Sequence, residues 1–554
     1  MKFSKRVNFL LLSFLITLNV ALRYPTVQHE LGADSFVIHI LGDSITRHHY
    51  AKWILHPLSY IGLYPFSYPS AYPFLAADVS VSTGLDVESS IFLISIALGL
   101  IGVFGTYFLA REIKKDDLFC FVAALTFTLS PVFVRTTFWQ ASTRNLFVAL
   151  APSCMLLLLK TRGFAINRLN ILFVITLFTV GTSHRLGVFM IFILIAYLTG
   201  VIMFALYKQI LPMTIKSKKL NRSFRIAGPL IITGIFVALL GMLISGNNPL
   251  QGAQGLVVYQ ETVFFTGRSI PILLLNLFVS LIGRIGFMIL FAMIGFAYLI
   301  WKKNKGLYEV FIVVSLIFIF PTIGMRTYSS YFFLIFFSLL AGYSFLQIFK
   351  FLKRKKVTGL ALAIMAAALI ASVGFHSYMW SHWRVTDYTM TEPTYDCAIY
   401  VKYNTNNTYI ANNGLKAARI SAISGKSCLP IGGATLVDNG PEQLIYDYLH
   451  EEDYQIIPIA IDKITVGSDA LYKAKGAGNV EQDWTTIHQT QCDDVSDQLI
   501  IKYRLQYSVV DKNWLTGYWA FARSYYSRFL TSSIEARYKI YDNGAYEVWY
   551  FDHP

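Results

Sequence analysis

The stretch YPTVQHELGADSFVIHILGDSITRHHYAKWILHPLSYIGLYPFSYPSAYPFLAADVSVSTGLDVE, residues 24–88, decides how the rest of the chain is interpreted. It follows one short apolar segment and is too long and too polar to be a simple connection between membrane helices. Loops longer than about 15 residues between packed elements are usually functional or disordered, and the aromatic content of this one argues against disorder. We therefore expect a long first external loop that carries the chemistry of the protein, while apolar helices hold it in place.

The composition of the whole chain is that of a membrane protein. Its 554 residues are 55% hydrophobic and only 14% charged, with a mean hydropathy of +0.51, whereas about 25% of the residues of a soluble domain are charged. Apolar runs of the length that crosses a bilayer recur along the chain. They predict an α-helical polytopic membrane protein with roughly eleven transmembrane helices, near 7–23, 89–110, 118–134, 145–160, 170–184, 186–207, 227–245, 271–300, 308–324, 330–349 and 357–375.

The net charge of +15 is distributed in a way that argues against nucleic acid as a partner. Clusters of Lys and Arg lie directly beside apolar runs and fall on every second connection, as the positive-inside rule requires of cytoplasmic loops. The pattern predicts a multi-pass protein of the cell membrane with a cytoplasmic N-terminus. The chain then divides into a transmembrane domain, 1–375, which includes the external loop 24–88, and an extracytoplasmic domain, 376–554.

The sequence of 376–554 is typical of a small α/β domain. Alternating apolar and polar residues predict four strands, and Asp542-Asn543-Gly544 between the last two is the signature of a tight hairpin. One pair of its three cysteines could form a disulfide if the domain faces an oxidising exterior. The predicted strands are 455–461, 499–510, 536–541 and 545–551, and the cysteines are Cys397, Cys428 and Cys492.

Asp34 is the strongest candidate for a catalytic carboxylate, and Asp43 is a second one. Asp34 follows the first apolar segment closely enough to lie near the outer bilayer surface, where a lipid-borne phosphate and a polar acceptor could both reach it. A general base must lie within hydrogen-bond reach of the proton that it takes. The alternative is that Asp34 caps a helix or a turn. His39 is a candidate for orienting a substrate or binding a metal ion.

Arginines in the outer connections run against the positive-inside pattern and predict an anionic ligand, because a guanidinium binds phosphate with two parallel hydrogen bonds. The alternative for each one is contact with lipid headgroups. The candidates for substrate binding in these connections are Arg135, Arg144, His184, Arg185, Arg268 and Arg326.

Several motifs resemble the GT-C superfamily of polytopic glycosyltransferases, which includes oligosaccharyltransferases and protein O-mannosyltransferases. Gly32-Ala-Asp-Ser-Phe-Val-Ile-His39 is similar to the aspartate segment of the family's first external loop. Tyr68-Pro-Ser-Ala-Tyr-Pro-Phe-Leu75 and Leu129-Ser-Pro-Val-Phe-Val-Arg135 look like segments of archaeal and bacterial members. Met325-Arg-Thr-Tyr-Ser-Ser-Tyr331 resembles the late outer turn whose arginine contacts the lipid phosphate, and Glu261 loosely resembles a glutamate in a late external loop.

The chain also departs from the oligosaccharyltransferase pattern. The segment Trp139-Gln-Ala-Ser-Thr-Arg-Asn145 has no carboxylate where those enzymes complete a metal site, and 376–554 lacks their Trp-Trp-Asp-Tyr-Gly motif. The resemblance therefore implies transfer of one sugar or a small glycan from a polyprenyl-phosphate-linked donor, with inversion, to a glycan, lipid or protein acceptor. A divalent cation, Mg or Mn, is a possible cofactor.

Two other classes of function remain open at this stage. A transporter or flippase of lipid-linked or anionic glycans would also have many helices and outer arginines, although such proteins usually show polar residues within the membrane and interrupted helices in matched halves. A membrane anchor for an external binding domain is the third reading, which leaves the long first loop without a purpose.

Overall fold

The computed structural model describes residues 2–25, 27–49, 71–161, 167–215, 229–239, 270–302, 304–384, 389–405, 409–411, 414–426, 428–430, 506–512 and 537–551. The chain forms two compact units. The first consists of Met1–Pro25, Ser95–Phe138 and Thr143–Thr386, and the second of Thr26–Ile94, Trp139–Ser142 and Asp387–Pro554.

Helices make up most of the described residues. In chain order they are α1 (Lys5–Ala21), α2 (Ala33–His48), α3 (Ala71–Thr83), α4 (Val87–Ile113), α5 (Asp117–Thr128), α6 (Pro131–Thr137), α7 (Thr143–Lys160), α8 (Arg168–Ser183), α9 (Met190–Ile215), α10 (Pro229–Leu239), α11 (Ile270–Ile285), α12 (Ile289–Trp301), α13 (Leu307–Ile319), α14 (Arg326–Arg354), α15 (Thr358–Arg384), α16 (Glu392–Asn404) and α17 (Gly414–Ser424).

Several of these helices have the length and composition of membrane spans. Within the described ranges, α4, α7 and α14 are long and apolar enough to cross a bilayer, and the number rises to five if two bent helix pairs each count as one span. Shorter apolar helices accompany them, among them α8, α10 and α13. The structure thus supports a multi-pass membrane protein, while the number of eleven spans stays a prediction.

Two predicted spans are broken helices. The span 118–134 consists of α5 and α6, which are bent by 59° where Pro131 begins α6, because a proline ring clashes with a continuing helix and its nitrogen donates no hydrogen bond. The span 271–300 consists of α11 and α12, bent by 111°. Apolar residues continue across both breaks, so the hydropathy pattern alone indicated straight helices.

Close contacts at glycine hold the helices of the first unit together. A Cβ atom placed on Gly295 of α12 would overlap the carbonyl oxygen of Leu340 on α14. A Cβ on Gly342 of α14 would lie 2.9 Å from the carbonyl oxygen of Phe119 on α5. Small residues at such crossings let helices in membranes approach closely and pack well.

Most of the described residues of the predicted first loop, 24–88, are helical, and the external position of this segment stays a prediction. Helices α2 and α3 both lie within it. Phe36 and Ile40, one turn apart on α2, pack in a buried cluster with Ala418 and Ala422 of α17. The polar residues between these apolar positions were interpreted as those of a loop. The apolar positions recur, however, with the period of an amphipathic helix.

A five-stranded sheet forms the other part of the second unit. Its strands are β1 (Tyr409–Ala411), β2 (Cys428–Pro430), β3 (Tyr507–Asp511), β4 (Arg537–Asp542) and β5 (Tyr546–Phe551), in the order β2-β1-β3-β5-β4. β1 is parallel to β2 and β3, while β5 is antiparallel to β3 and β4. The hairpin predicted at Asp542-Asn543-Gly544 joins β4 to β5, and the predicted strand 455–461 lies outside the described residues.

Cys397 on α16 lies in the core of the second unit as a free thiol. Burial raises the pKa of this thiol to about 12, so it stays protonated and unreactive at neutral pH. The pairing of the cysteines in this part of the chain stays open. The side chain of Cys428 and all of Cys492 lie outside the described residues.

Replacing Gly295 with alanine tests the close crossing of α12 and α14. We expect Gly295→Ala to force the two helices apart and to destabilise the protein by about 1–3 kcal/mol, as overpacking a tight interface does. Gly283→Ala on α11 is the matched control, because a Cβ there meets nothing within 4 Å. The measurement is the Tm of both variants in the same detergent, and an equal Tm for the two would contradict the packing described here.

Candidate active site

Helix α2 begins where three segments of the second unit meet. The backbone N–H of Leu31 donates to the carbonyl oxygen of Trp139 at 3.1 Å, and the Trp139 indole donates to the carbonyl oxygen of Glu88 at 3.2 Å. Gly32 has a φ of +91°, and a Cβ on it would overlap the side chain of Gln140. The short segment Trp139–Ser142 therefore fixes the direction in which α2 starts.

A buried chain of hydrogen bonds centres on Glu30. The Ser35 hydroxyl donates to Glu30 Oε2 and accepts a hydrogen bond of 2.7 Å from the backbone N–H of Ala141. Glu30 Oε1 lies 2.6 Å from Nδ1 of His39. All three side chains are buried, so the charge on Glu30 is removed from water but has a partner at each oxygen, which is what a buried carboxylate requires.

The Glu30 carboxylate keeps His39 positively charged. Burial alone would lower the pKa of His39, but the charge and hydrogen bond of Glu30, with further contributions from Asp43 and Glu88, raise this pKa from 6.5 to about 9. An imidazolium ion donates hydrogen bonds from both ring nitrogens. Nδ1 of His39 faces Glu30. The N–H at Nε2 can therefore donate to another group.

Glu88, in the first turn of α4, connects this network to α16. Its carboxylate accepts from the backbone N–H of Glu30 at 2.9 Å and lies 3.2 Å from Nδ1 of His29. The His29 ring stacks on Tyr395 of α16 with the ring centroids 4.4 Å apart. The Glu88 carboxylate thus contacts the residues just before α2. One of these residues, His29, packs on Tyr395 in the C-terminal segment.

A cavity of about 620 Å³ lies beside these groups, within the range of roughly 300–1,000 Å³ typical of small-molecule sites. Carboxylates, cationic side chains and two histidines share its wall with a few apolar groups. The lining residues are His29, His39, Asp43, Arg47, Asp86, Val87, Glu88, Tyr395, Ile399, Lys402, Ala422, Ile423, Ser424, Gly425 and Lys426.

The two predicted catalytic aspartates lie on opposite sides of α2. Asp34 is half-buried in the first turn, whereas Asp43 pairs with Arg47 at 3.3 Å and lines the cavity. Nine residues of α-helix make two and a half turns and rise about 13 Å. His39, four residues before Asp43, shares the cavity side with it. The structure thus brings together His39 and Asp43 and separates Asp34 from them.

The arginines and His184 predicted to bind substrate belong to the first unit. Arg135 is exposed at the end of α6, and Arg144 is half-buried in the first turn of α7. His184 is buried beyond the end of α8, where its Nδ1 accepts from the backbone N–H of Leu186 at 3.0 Å. Of the remaining candidates, only the backbone is described for Arg185 and Arg326, and Glu261 and Arg268 lie outside the described residues. Their roles in binding stay predictions.

The predicted divalent cation, Mg or Mn, stays a prediction. No three His, Cys, Asp or Glu side chains in the described ranges lie together in a way that could hold a metal ion. The pairs His39–Glu30 and His29–Glu88 instead direct these groups at one another. We assign no step of the chemistry to a metal ion.

Most residues of this site were not among the candidates from the sequence, including Glu30, Ser35, Glu88, Tyr395, His29 and Arg47. Glu30 lies nine residues before His39, with Ser35 between them, and a carboxylate so close in sequence to a histidine was a signal that could have been used. Glu88 and Tyr395 gave no such signal, because they reach the site through contacts with residues far away in sequence.

The Glu30–His39 pair should make stability depend on pH. Because the pKa of His39 is raised from 6.5 to about 9 on folding, its contribution is fully present below pH 6.5 and is lost as the pH rises through about 9. We expect the Tm of the purified protein to fall across this interval. Glu30→Gln keeps the shape but removes the charge, so it should lower Tm at pH 6.5 and flatten the decline. Parallel profiles for the two proteins would show that the pair is not charged.

The fold is similar to that of the oligosaccharyltransferase of Archaeoglobus fulgidus. The apo form of that protein matches with a TM-score of 0.57 at 13% identity, covering 92% of this chain and 70% of that one. A form tethered to an acceptor peptide with the NVT sequon matches with a TM-score of 0.56 at 14% identity, covering 80% and 68%. A complex with an inhibitory peptide and dolichol-phosphate gives 0.56 at 13% identity, covering 92% and 69%.

No protein-family model and no curated protein matches the chain. At 13–14% identity, the likeness to the solved structures concerns the fold. The fold is that of an archaeal oligosaccharyltransferase, so the resemblance to GT-C membrane glycosyltransferases predicted from the motifs is confirmed at the level of the fold.

Proposed function

We propose that this protein is a membrane glycosyltransferase that transfers a sugar from a polyprenyl-phosphate-linked donor to an acceptor on the outer face of the membrane. The observation that supports this most is the oligosaccharyltransferase fold over 92% of the chain. One structure of that relative is a complex with dolichol-phosphate, and another holds an acceptor peptide. The N-terminus would be cytoplasmic and residues 376–554 extracytoplasmic.

The reaction would be a single displacement with inversion at the anomeric carbon. An acceptor hydroxyl forms the new bond to that carbon while the bond from carbon to the phosphate oxygen breaks, and its electron pair leaves with the polyprenyl phosphate. Asp34 takes the proton of the hydroxyl. Asp34 lies in the first turn of α2, and as the base it must come within hydrogen-bond reach of this proton.

The departing phosphate carries the charge that develops in the transition state. Preorganised cationic groups at such a position usually provide the largest catalytic contribution. We assign this role to the outer arginines predicted from the sequence, with Arg326 first and Arg135, Arg144 or Arg185 assisting it. The bidentate geometry of a guanidinium suits a phosphate leaving group.

An apolar cavity of about 350 Å³ in the first unit is suited to part of the polyprenyl chain. Phe236, Leu281, Met293 and Phe333 are among the residues around it, and Thr233 contributes a hydroxyl group. A prenyl chain has no polar atoms to satisfy, so it can leave the bilayer for this cavity without losing a hydrogen bond, and packing contacts decide whether it binds.

Replacing Asp34 with asparagine tests the proposed base. We expect Asp34→Asn to lower the rate of sugar transfer by about 10²–10⁴-fold, the usual contribution of a general base, with no change in Tm. The measurement is transfer from a labelled polyprenyl-phosphate sugar in proteoliposomes. Asp396→Asn, an exposed carboxylate of α16 that does not line the cavity, is the matched control. Full activity of Asp34→Asn would rule out this assignment.

The same proteoliposomes distinguish a transferase from a flippase. A transferase forms a glycosylated acceptor from the labelled donor. Movement of the labelled lipid between leaflets without any product would instead support the transporter class that the sequence left open.

Filling the apolar cavity tests the assignment of the lipid chain. Met293 lies at the exposed rim of the cavity, so Met293→Trp should reduce the space for a prenyl chain without overpacking the core. We expect a several-fold rise in KM for the polyprenyl donor at nearly unchanged kcat, the pattern of lost ground-state binding. Leu198→Trp, at an exposed apolar position on α9, is the control. Equal KM values for both variants would place the prenyl chain elsewhere.

A further inference from the structure

We propose that the 620 Å³ cavity beside α2 is a saccharide-binding subsite and that the acceptor of the reaction is a glycan. This inference rests on the proposed glycosyltransferase function and names the class of acceptor, which the fold alone leaves open. It follows from three properties of the cavity: the mixture of donors and acceptors in its wall, a fixed carboxylate–guanidinium pair, and aromatic rings beside them.

The wall of the cavity includes residues that can donate and residues that can accept hydrogen bonds. Asp43, Asp86 and Glu88 supply carboxylate oxygens, while Lys402 and Lys426 supply ammonium groups. A sugar hydroxyl both donates and accepts, so a saccharide can satisfy both kinds of group at once. A site for a purely anionic ligand would not place three carboxylates against it, since like charges repel.

The pair formed by Asp43 and Arg47 is held in a fixed position. The two side chains lie 3.3 Å apart, one helical turn from each other on α2. Arg47 also donates to the carbonyl oxygen of Gly425 at 2.8 Å, which fixes its guanidinium against the loop after α17. A carboxylate beside a planar guanidinium presents an acceptor next to donors. That arrangement complements the two neighbouring hydroxyls of a sugar ring.

His39 adds a donor whose direction is set by the buried network. Its Nδ1 faces Glu30, and its ring forms part of the cavity wall. The remaining N–H at Nε2 can therefore serve a ligand oxygen without any reorganisation of the ring. A charged donor in a partly buried site forms a stronger hydrogen bond than a neutral one.

Tyr395 and His29 give the cavity an aromatic part. The rings are stacked with centroids 4.4 Å apart, and both line the cavity. Aromatic rings provide large contact area at low entropic cost, and the C–H groups of a pyranose pack well on them. Aliphatic side chains are a minority of the lining, with Val87, Ile399 and Ile423 among them, so most of the wall suits a polar ligand.

Binding measurements on the full-length protein in detergent test this subsite without any turnover. The probes are fluorescent hexose trisaccharides, neutral and uronate-containing, and an Asn-Val-Thr peptide. We expect the wild type to bind at least one trisaccharide, and Tyr395→Ala and Asp43→Asn to weaken that binding at least tenfold. Asp396→Asn, the neighbour of Tyr395 outside the cavity lining, should bind as the wild type does.

Three results would overturn the proposal. The first is that the wild type binds no trisaccharide. The second is that both cavity variants bind the trisaccharide as tightly as the wild type does. The third is that the wild type binds the peptide and the cavity variants weaken that binding. A competition experiment tells whether the cavity binds the sugar of the donor or that of the acceptor. If a short-chain polyprenyl-phosphate sugar displaces the trisaccharide, the cavity is the donor site and the acceptor assignment is contradicted. Trisaccharide binding in a protein that shows no transfer activity would refute the proposed function but leave the subsite standing.

Discussion

The buried pair of Glu30 and His39 is the constraint on which the candidate site depends. Removing a carboxylate from water costs several kcal/mol unless the charge is paired and hydrogen-bonded. Glu30 is fully buried, so the surrounding chain has to deliver partners to both of its oxygens. It does so with His39 and Ser35 from α2 and, through the Ser35 hydroxyl, with the backbone of Ala141. The starting point and direction of α2 follow from these requirements.

The same constraint unites segments that are far apart in the sequence. The segment Trp139–Ser142, which has no carboxylate to offer a metal ion, contributes backbone groups to the start of α2 instead. Helix α2 in turn packs its apolar side on alanines of α17. The chemistry predicted for the first loop and the recognition predicted for the C-terminal segment therefore draw on residues of one compact unit.

The sequence predicted those features that depend on local or compositional signals. Apolar runs indicated the membrane helices, and Asp542-Asn543-Gly544 indicated the last hairpin, because both signals lie within a few consecutive residues. The helical nature of α2 was missed because its polar positions were read as those of a loop. The role of Glu88 could not be predicted, since its contact with His29 joins residues 59 positions apart. A contact between residues so far apart in the sequence produces no periodic pattern by which a single sequence could reveal it.

The geometry of α2 also constrains how its two aspartates can act. A rise of about 13 Å and half a turn of rotation separate Asp34 from Asp43, so they cannot share a proton as the two catalytic aspartates of an aspartic protease do. Under the proposed function, Asp34 acts on the reacting hydroxyl and Asp43 binds a different part of the acceptor. Asp43 lines the cavity with His39, and Asp34 does not. An acceptor that reaches both therefore extends over more than one sugar ring, which favours an oligosaccharide over a single sugar.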